Sequence, residues 1–218
     1  MATATAQSEP KWTAADLVEH FGPILLTRIR HEPPAGTATE QDVIDIHDRE
    51  GRLFELVDGV LLEKTMGYQE AYLALLIGRL VGEFVDTHNL GLVAGADGMA
   101  RLASGLVRIP DVSFVGWDRL PGRKVPTTPM LNLAPHLAVE VLSPHNTKQE
   151  MTRKLGEYFG AGVVAVWYVD PSTRTVTVYS SPDEAVVLTE QQSLEGGGAL
   201  PGLTIRLADL FAKLEPST

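Results

Sequence analysis

Residues 137–142 (Leu-Ala-Val-Glu-Val-Leu) and 163–169 (Val-Val-Ala-Val-Trp-Tyr-Val) are apolar on both faces that an extended chain would present. Successive side chains of a strand point to opposite sides. A segment that is apolar at odd and even positions alike therefore has no solvent side and belongs in a sheet covered above and below. One carboxylate interrupts the first run: Leu137, Val139 and Val141 point one way, Ala138, Glu140 and Leu142 the other. A second, Asp111, sits in the similar run Ile109-Pro110-Asp111-Val112-Ser113-Phe114-Val115. An ionised carboxylate in such a strand is costly unless a cation, a metal or several donors compensate it. Asp111 and Glu140 are therefore candidate functional residues.

The rest of the chain surrounds these strands with helices and turns. Thr13 followed by Ala14, Ala15 and Asp16 predicts a helix start, with Leu17, Val18 and Phe21 as its apolar side and Gly22-Pro23 as its stop. Residues 31–42 hold two prolines and a glycine and read as a surface connection, which divides the chain into a disordered tail (1–10), an N-terminal helix and connection (11–45) and one main domain (46–218). Leu53 to Val57, Asp58-Gly59 and Val60 to Glu63 form a hairpin signature, because Asp-Gly supplies the positive φ angles of a two-residue turn. Between Gln69 and Val85, Leu73, Leu76, Ile77, Leu80, Val81 and Phe84 recur at helical spacing, and Glu70 lies on the same stripe one turn earlier. Asn146 or Thr147 can cap a helix to about Phe159, with Met151, Leu155, Tyr158 and Phe159 inward and Lys154 at their border. Strand, helix, strand and hairpin in this order indicate a mixed α/β architecture.

Composition narrows the chemistry. With 218 residues and 44% hydrophobic content, one substantial core is expected. A formal charge of −10 argues against a protein coated in basic surface for nucleic-acid binding. Locally the bias reverses: Arg101, Arg108, Arg119, Arg123 and Lys124 face only Asp111 and Asp118, a candidate phosphate-contact surface beside the first carboxylate. The absence of cysteine removes disulfides and thiolate chemistry, is compatible with the cytoplasm expected for this chain, and leaves oxygen and imidazole donors for any metal. No apolar run approaches the length of a membrane-spanning helix.

A strand aspartate, a strand glutamate and a lysine on the next helix are the parts needed for metal-assisted phosphodiester hydrolysis. Carboxylate oxygens suit a hard ion, Mg²⁺ or Mn²⁺, and two would bind it weakly; Glu70 is the leading third candidate and Glu55 the second. Pro110-Asp111, Glu140-Val141-Leu142-Ser143-Pro144, Lys154 with Tyr158 and Gly162, Trp167, Val169-Asp170-Pro171 and the hairpin around Asp58-Gly59 together resemble the Uma-type putative restriction endonuclease family of the PD-(D/E)XK nuclease-like superfamily. The resemblance spans about residues 50–180. It implies a restriction-endonuclease-like mixed β-sheet flanked by helices and a divalent metal held at one sheet end. Asp111 would be the PD aspartate, Glu140 the second carboxylate and Val141 a ligand through its carbonyl. The usual lysine position holds Leu142, so Lys154 would supply the ammonium from the neighbouring helix, and Ala165 stands where family members often carry glutamate. The expected partner is nucleic acid, DNA ahead of RNA, with a homodimer as a further expectation. Two other readings compete with this one: a non-catalytic assembly module on a nuclease-like fold, and, more weakly, a paired-carboxylate glycosidase, for which three Trp and five Tyr make a poor sugar platform.

Overall fold

The computed structural model describes residues 12–215, so the tail expected at 1–10 lies outside the described residues. Helix α1 (Ala14–Phe21) begins at Thr13, whose side chain accepts from the Asp16 amide while Asp16 reaches back to the Thr13 amide, and ends at Gly22 with φ 76°. Leu17 and Phe21 are buried, but Val18 is 45% exposed and does not belong to the inward side. A helix not anticipated from the sequence, α2 (Glu40–Glu50), follows a second capping box between Thr39 and Asp42 and straddles the expected boundary at residues 45 and 46. Its Val43 and Ile46 pack in one cluster with Phe54, Leu56, Val107 and Ile109.

The hairpin of β1 (Phe54–Val57) and β2 (Val60–Glu63) turns through Asp58 and Gly59, both at positive φ. After α3 (Tyr68–Thr87) come β3 (Gly91–Ala94), β4 (Ala100–Ala103), β5 (Leu106–Arg108) and β6 (Val112–Gly116). Then follow β7 (Leu137–Val141), α4 (Lys148–Gly160), β8 (Ala165–Asp170), β9 (Thr175–Ser181) and β10 (Glu184–Thr189), and the chain closes with β11 (Ser193–Glu195), β12 (Thr204–Arg206) and α5 (Leu207–Phe211).

These strands build a six-stranded sheet in the order β10-β9-β8-β7-β6-β3, a four-stranded sheet β2-β1-β5-β4 and the small pair β11-β12. In the larger sheet only β7 and β8 run parallel, joined across α4. Both faces are covered, as the two-sided apolar runs require. Leu137 and Val139 pack with Leu73, Ile77 and Val81 of α3, whereas Ala138 and Val166 pack with Met151, Leu155 and Tyr158 of α4. On the smaller sheet, Leu17, Phe21, Ile24 and Ile29 lie against Val57, Val60 and Leu62. Each such side chain contributes about 1.5–3 kcal/mol on full burial, so apolar packing is a main anchor of the N-terminal segment. The link Ile109-Pro110-Asp111 carries the chain from β5 in one sheet to β6 in the other, which puts Asp111 at the junction of the two.

Candidate active site

Asp111 is held by the edges of β6 and β7. Its amide donates to the Val139 carbonyl at 2.9 Å, and its Oδ2 accepts from the Val141 amide at 2.6 Å. Its Oδ1 pairs with Lys64 Nζ at 2.7 Å. Period-two alternation turns Glu140 toward α4, where its Oε1 accepts from Tyr158 Oη at 2.6 Å and from Lys154 Nζ at 3.2 Å. Tyr158 and Lys154 are four residues apart on one face of α4, and both are buried. The Lys154 ammonium also meets Glu55 Oε1 at 3.0 Å. Glu55 is fully engaged: Oε1 accepts from the Ile109 amide as well, and Oε2 accepts from Arg108, which reaches on to Glu157.

Burial pushes the Glu140 carboxyl above the usual carboxylate range; Lys154 and Lys64 pull it back only in part, and Asp111 and Glu55 add to the rise. Burial acts the same way on Glu55, but there the Lys154, Arg108 and Lys64 charges outweigh it and hold the group below its ordinary value. At Lys154 burial opposes the ammonium, yet Glu140 and Glu55 more than offset this, so the amine keeps its proton. Burial and the neighbouring Glu140 likewise hold the Tyr158 phenol well above its ordinary value, which keeps it a donor.

Arg28, Glu55, Lys64, Glu70, Asp111, Glu140, Val141 and Lys154 line one cavity of about 30 Å³, room for one or two waters or a single ion. Every residue singled out as catalytic or metal-binding from the sequence thus converges on one place. Glu70, 8% exposed at the start of α3, lies folded over Gly67; a Cβ at residue 67 would meet its Oε2 at 2.2 Å. The carboxylates do not gather into one cage: among the described residues, no group of three or more acidic or histidine side chains is placed to hold a single ion. Mg²⁺ is commonly held by one or two carboxylates with water and phosphate oxygens completing its shell, and Asp111 and Glu140 are the two that would supply them here.

Lys64 and Arg28 escaped the sequence reading. Lys64 follows a strand and looks like a solvated end, and Arg28 lies in a segment with no chemical signature. The basic cluster expected as a phosphate surface is mostly consumed elsewhere. Arg101 pairs with Glu40, Arg108 is buried in the ion network, and Arg119 donates to the carbonyls of Ala134, Pro135 and Gly162. Arg123, over the Trp117 ring, and Lys124 remain exposed.

Among the described residues, no helix is long and apolar enough to cross a membrane. The model of a family described as Uma2, "Putative restriction endonuclease", matches residues 40–208. The fold is similar to the crystal structure of "a putative nuclease belonging to DUF820" from Anabaena variabilis ATCC 29413. The two chains are 20% identical, the TM-score is 0.66, and the similarity covers 74% of this chain and 91% of that one. No curated protein matches the sequence.

Proposed function

We propose that this chain, which belongs to the Uma2 family of putative restriction endonucleases, hydrolyses phosphodiester bonds in DNA with a divalent ion at Asp111 and Glu140. The observation that carries this reading is the convergence of two buried carboxylates, one in β7 and one just ahead of β6, and two lysines on a cavity sized for one ion. Asp111, Glu140 and the Val141 carbonyl would hold Mg²⁺ or Mn²⁺, with Glu70 the remaining carboxylate on the wall. When bound, such an ion supplies a water of lowered pKa and offsets charge developing on the phosphate.

The protein's own groups do the positioning. The Val141 amide fixes the Asp111 carboxylate from behind. The Tyr158 phenol orients Glu140, and both of Glu140's hydrogen bonds fall on Oε1, which leaves Oε2 for a ligand. Lys154, protonated because two carboxylates flank it, serves as a fixed positive charge near the phosphate and not as a base. Glu55, with both oxygens committed, anchors Lys154 and Arg108.

The test is to incubate the purified protein with DNA and RNA in Mg²⁺ or Mn²⁺. Wild type should cleave DNA, and Asp111→Ala with Glu140→Ala should lose roughly three orders of magnitude in rate, the equivalent of about 4 kcal/mol of charge stabilisation. Equal inactivity of both across all substrates would sink the proposal. A second reading, a non-catalytic assembly module on this fold, draws support from the lysines that already compensate Asp111 and Glu140. Calorimetry separates the two: no Mg²⁺ or Mn²⁺ binding at millimolar concentration would favour the module.

A further inference from the structure

Arg28 sits in the short helical turn Leu26–Arg28, ahead of the matched range 40–208, yet its side chain lines the same cavity as Asp111, Glu140 and Lys154. Its Nη2 and Nη1 donate to the two oxygens of Glu150 at 2.9 and 3.2 Å, and its Nε donates to the Glu63 carbonyl at 3.1 Å. A guanidinium has five N–H groups. Three are used here, and one on each Nη is left over. Arg28 lines the cavity and Glu150 does not, so the guanidinium faces the site from the side opposite its carboxylate partner. Glu150 is also four residues before Lys154, so one face of α4 positions both the Arg28 guanidinium and the Lys154 ammonium.

The competing explanation is that the Arg28–Glu150 pair fastens the N-terminal segment. Leu17, Phe21, Ile24 and Ile29 already do so against Val57, Val60 and Leu62. A buried ion pair adds little net stability over well-packed apolar side chains, because desolvation cancels most of the attraction. What it does provide is a guanidinium at a defined position, with one uncommitted N–H on each Nη able to donate singly to a phosphate oxygen.

We propose that Arg28 is a phosphate-binding residue of this site, supplied by the N-terminal segment, with its guanidinium held in place by Glu150. The proposal rests on the phosphodiesterase reading and names the group that meets the substrate's non-bridging oxygens. Because removing Arg28 alone strands Glu150, the informative variant is the double Arg28→Met/Glu150→Met, with Arg28→Lys beside it. Cleavage of an oligodeoxynucleotide gives KM and kcat, calorimetry with inorganic pyrophosphate gives binding without turnover, and thermal unfolding reports the fold.

The expected result is that the double variant melts within a few degrees of wild type, raises KM about tenfold or more and weakens pyrophosphate binding to a similar degree. Arg28→Lys should recover part of the loss. An unchanged KM and pyrophosphate affinity in the double variant, whatever its melting temperature, overturns the proposal. If wild type cleaves DNA and depends on Asp111 but is indifferent to Arg28, only this proposal falls. If wild type cleaves nothing, the phosphodiesterase reading falls, and pyrophosphate binding by wild type against the double variant still decides Arg28.

Discussion

Replacing Lys154 with methionine removes the cation shared by Glu55 and Glu140. The lysine is 4% exposed, with Nζ 3.0 and 3.2 Å from the two carboxylates. At an effective dielectric constant of ~20, each contact is a gross attraction of about 5 kcal/mol, most of it cancelled by desolvation of the three charges. Deletion of one partner exposes the part that was not cancelled. Glu55 keeps Arg108, but Glu140 keeps the Tyr158 phenol as its one hydrogen-bond donor and Lys64 at longer range, so the loss should be about 3–5 kcal/mol. For a chain of this size, roughly 2–4 °C per kcal/mol gives a drop in Tm of about 6–20 °C. Urea unfolding followed by tryptophan fluorescence is the assay, since Trp167 is fully buried. In a Glu140→Gln background the same replacement should cost at least about 1 kcal/mol less, because the stranded charge is gone. A cost below about 1 kcal/mol, or an equal cost in both backgrounds, would show that Lys154 is solvated and would refute the account of the site's electrostatics.

Lys64→Met removes the ammonium that competes for Asp111 Oδ1. Calorimetry should find Mn²⁺ binding tighter by roughly tenfold, or about 1.4 kcal/mol; unchanged or weaker binding would show that Lys64 does not oppose the ion. His136 offers a test by pH. It accepts from the Gly116 amide through Nδ1, and burial, with Arg119 nearby, holds its pKa below the ordinary value while Asp118 partly opposes the shift. The unfolded chain therefore takes up the proton first. The contribution to stability is complete above pH ~6.5 and falls as pH drops through that value. In His136→Gln that part of the slope in unfolding free energy should vanish, and an unchanged slope would contradict the assignment.

The site was legible in the sequence to the extent that its energetics are local. A carboxylate in a segment apolar on both faces is costly wherever the chain runs, so Asp111 and Glu140 could be named before any contact was known. Lys154 and Tyr158 followed from helical periodicity. Helix α2 was missed because Glu40–Glu50 has only Val43, Ile44 and Ile46 as apolar residues, too few for a stripe; its stability comes from packing on β1. The basic cluster around Arg119 misled for a related reason, since nearness in sequence does not say which charges meet carbonyls and which meet solvent.

By itself the sequence determined the strands, their two covered faces, the Asp58-Gly59 hairpin and the two costly carboxylates, because side-chain alternation, capping and turn chemistry act over a few residues. Only the tertiary structure decided which cation compensates which carboxylate. Lys64 reaches Asp111 across 47 positions, Arg28 reaches Glu150 across 122, and Glu55 meets Lys154 across 99, counting from the residue numbers of each pair. Charge pairing depends on distance through space and on the loss of water around it, and neither quantity exists until two sheets and three helices have closed over the junction at Asp111.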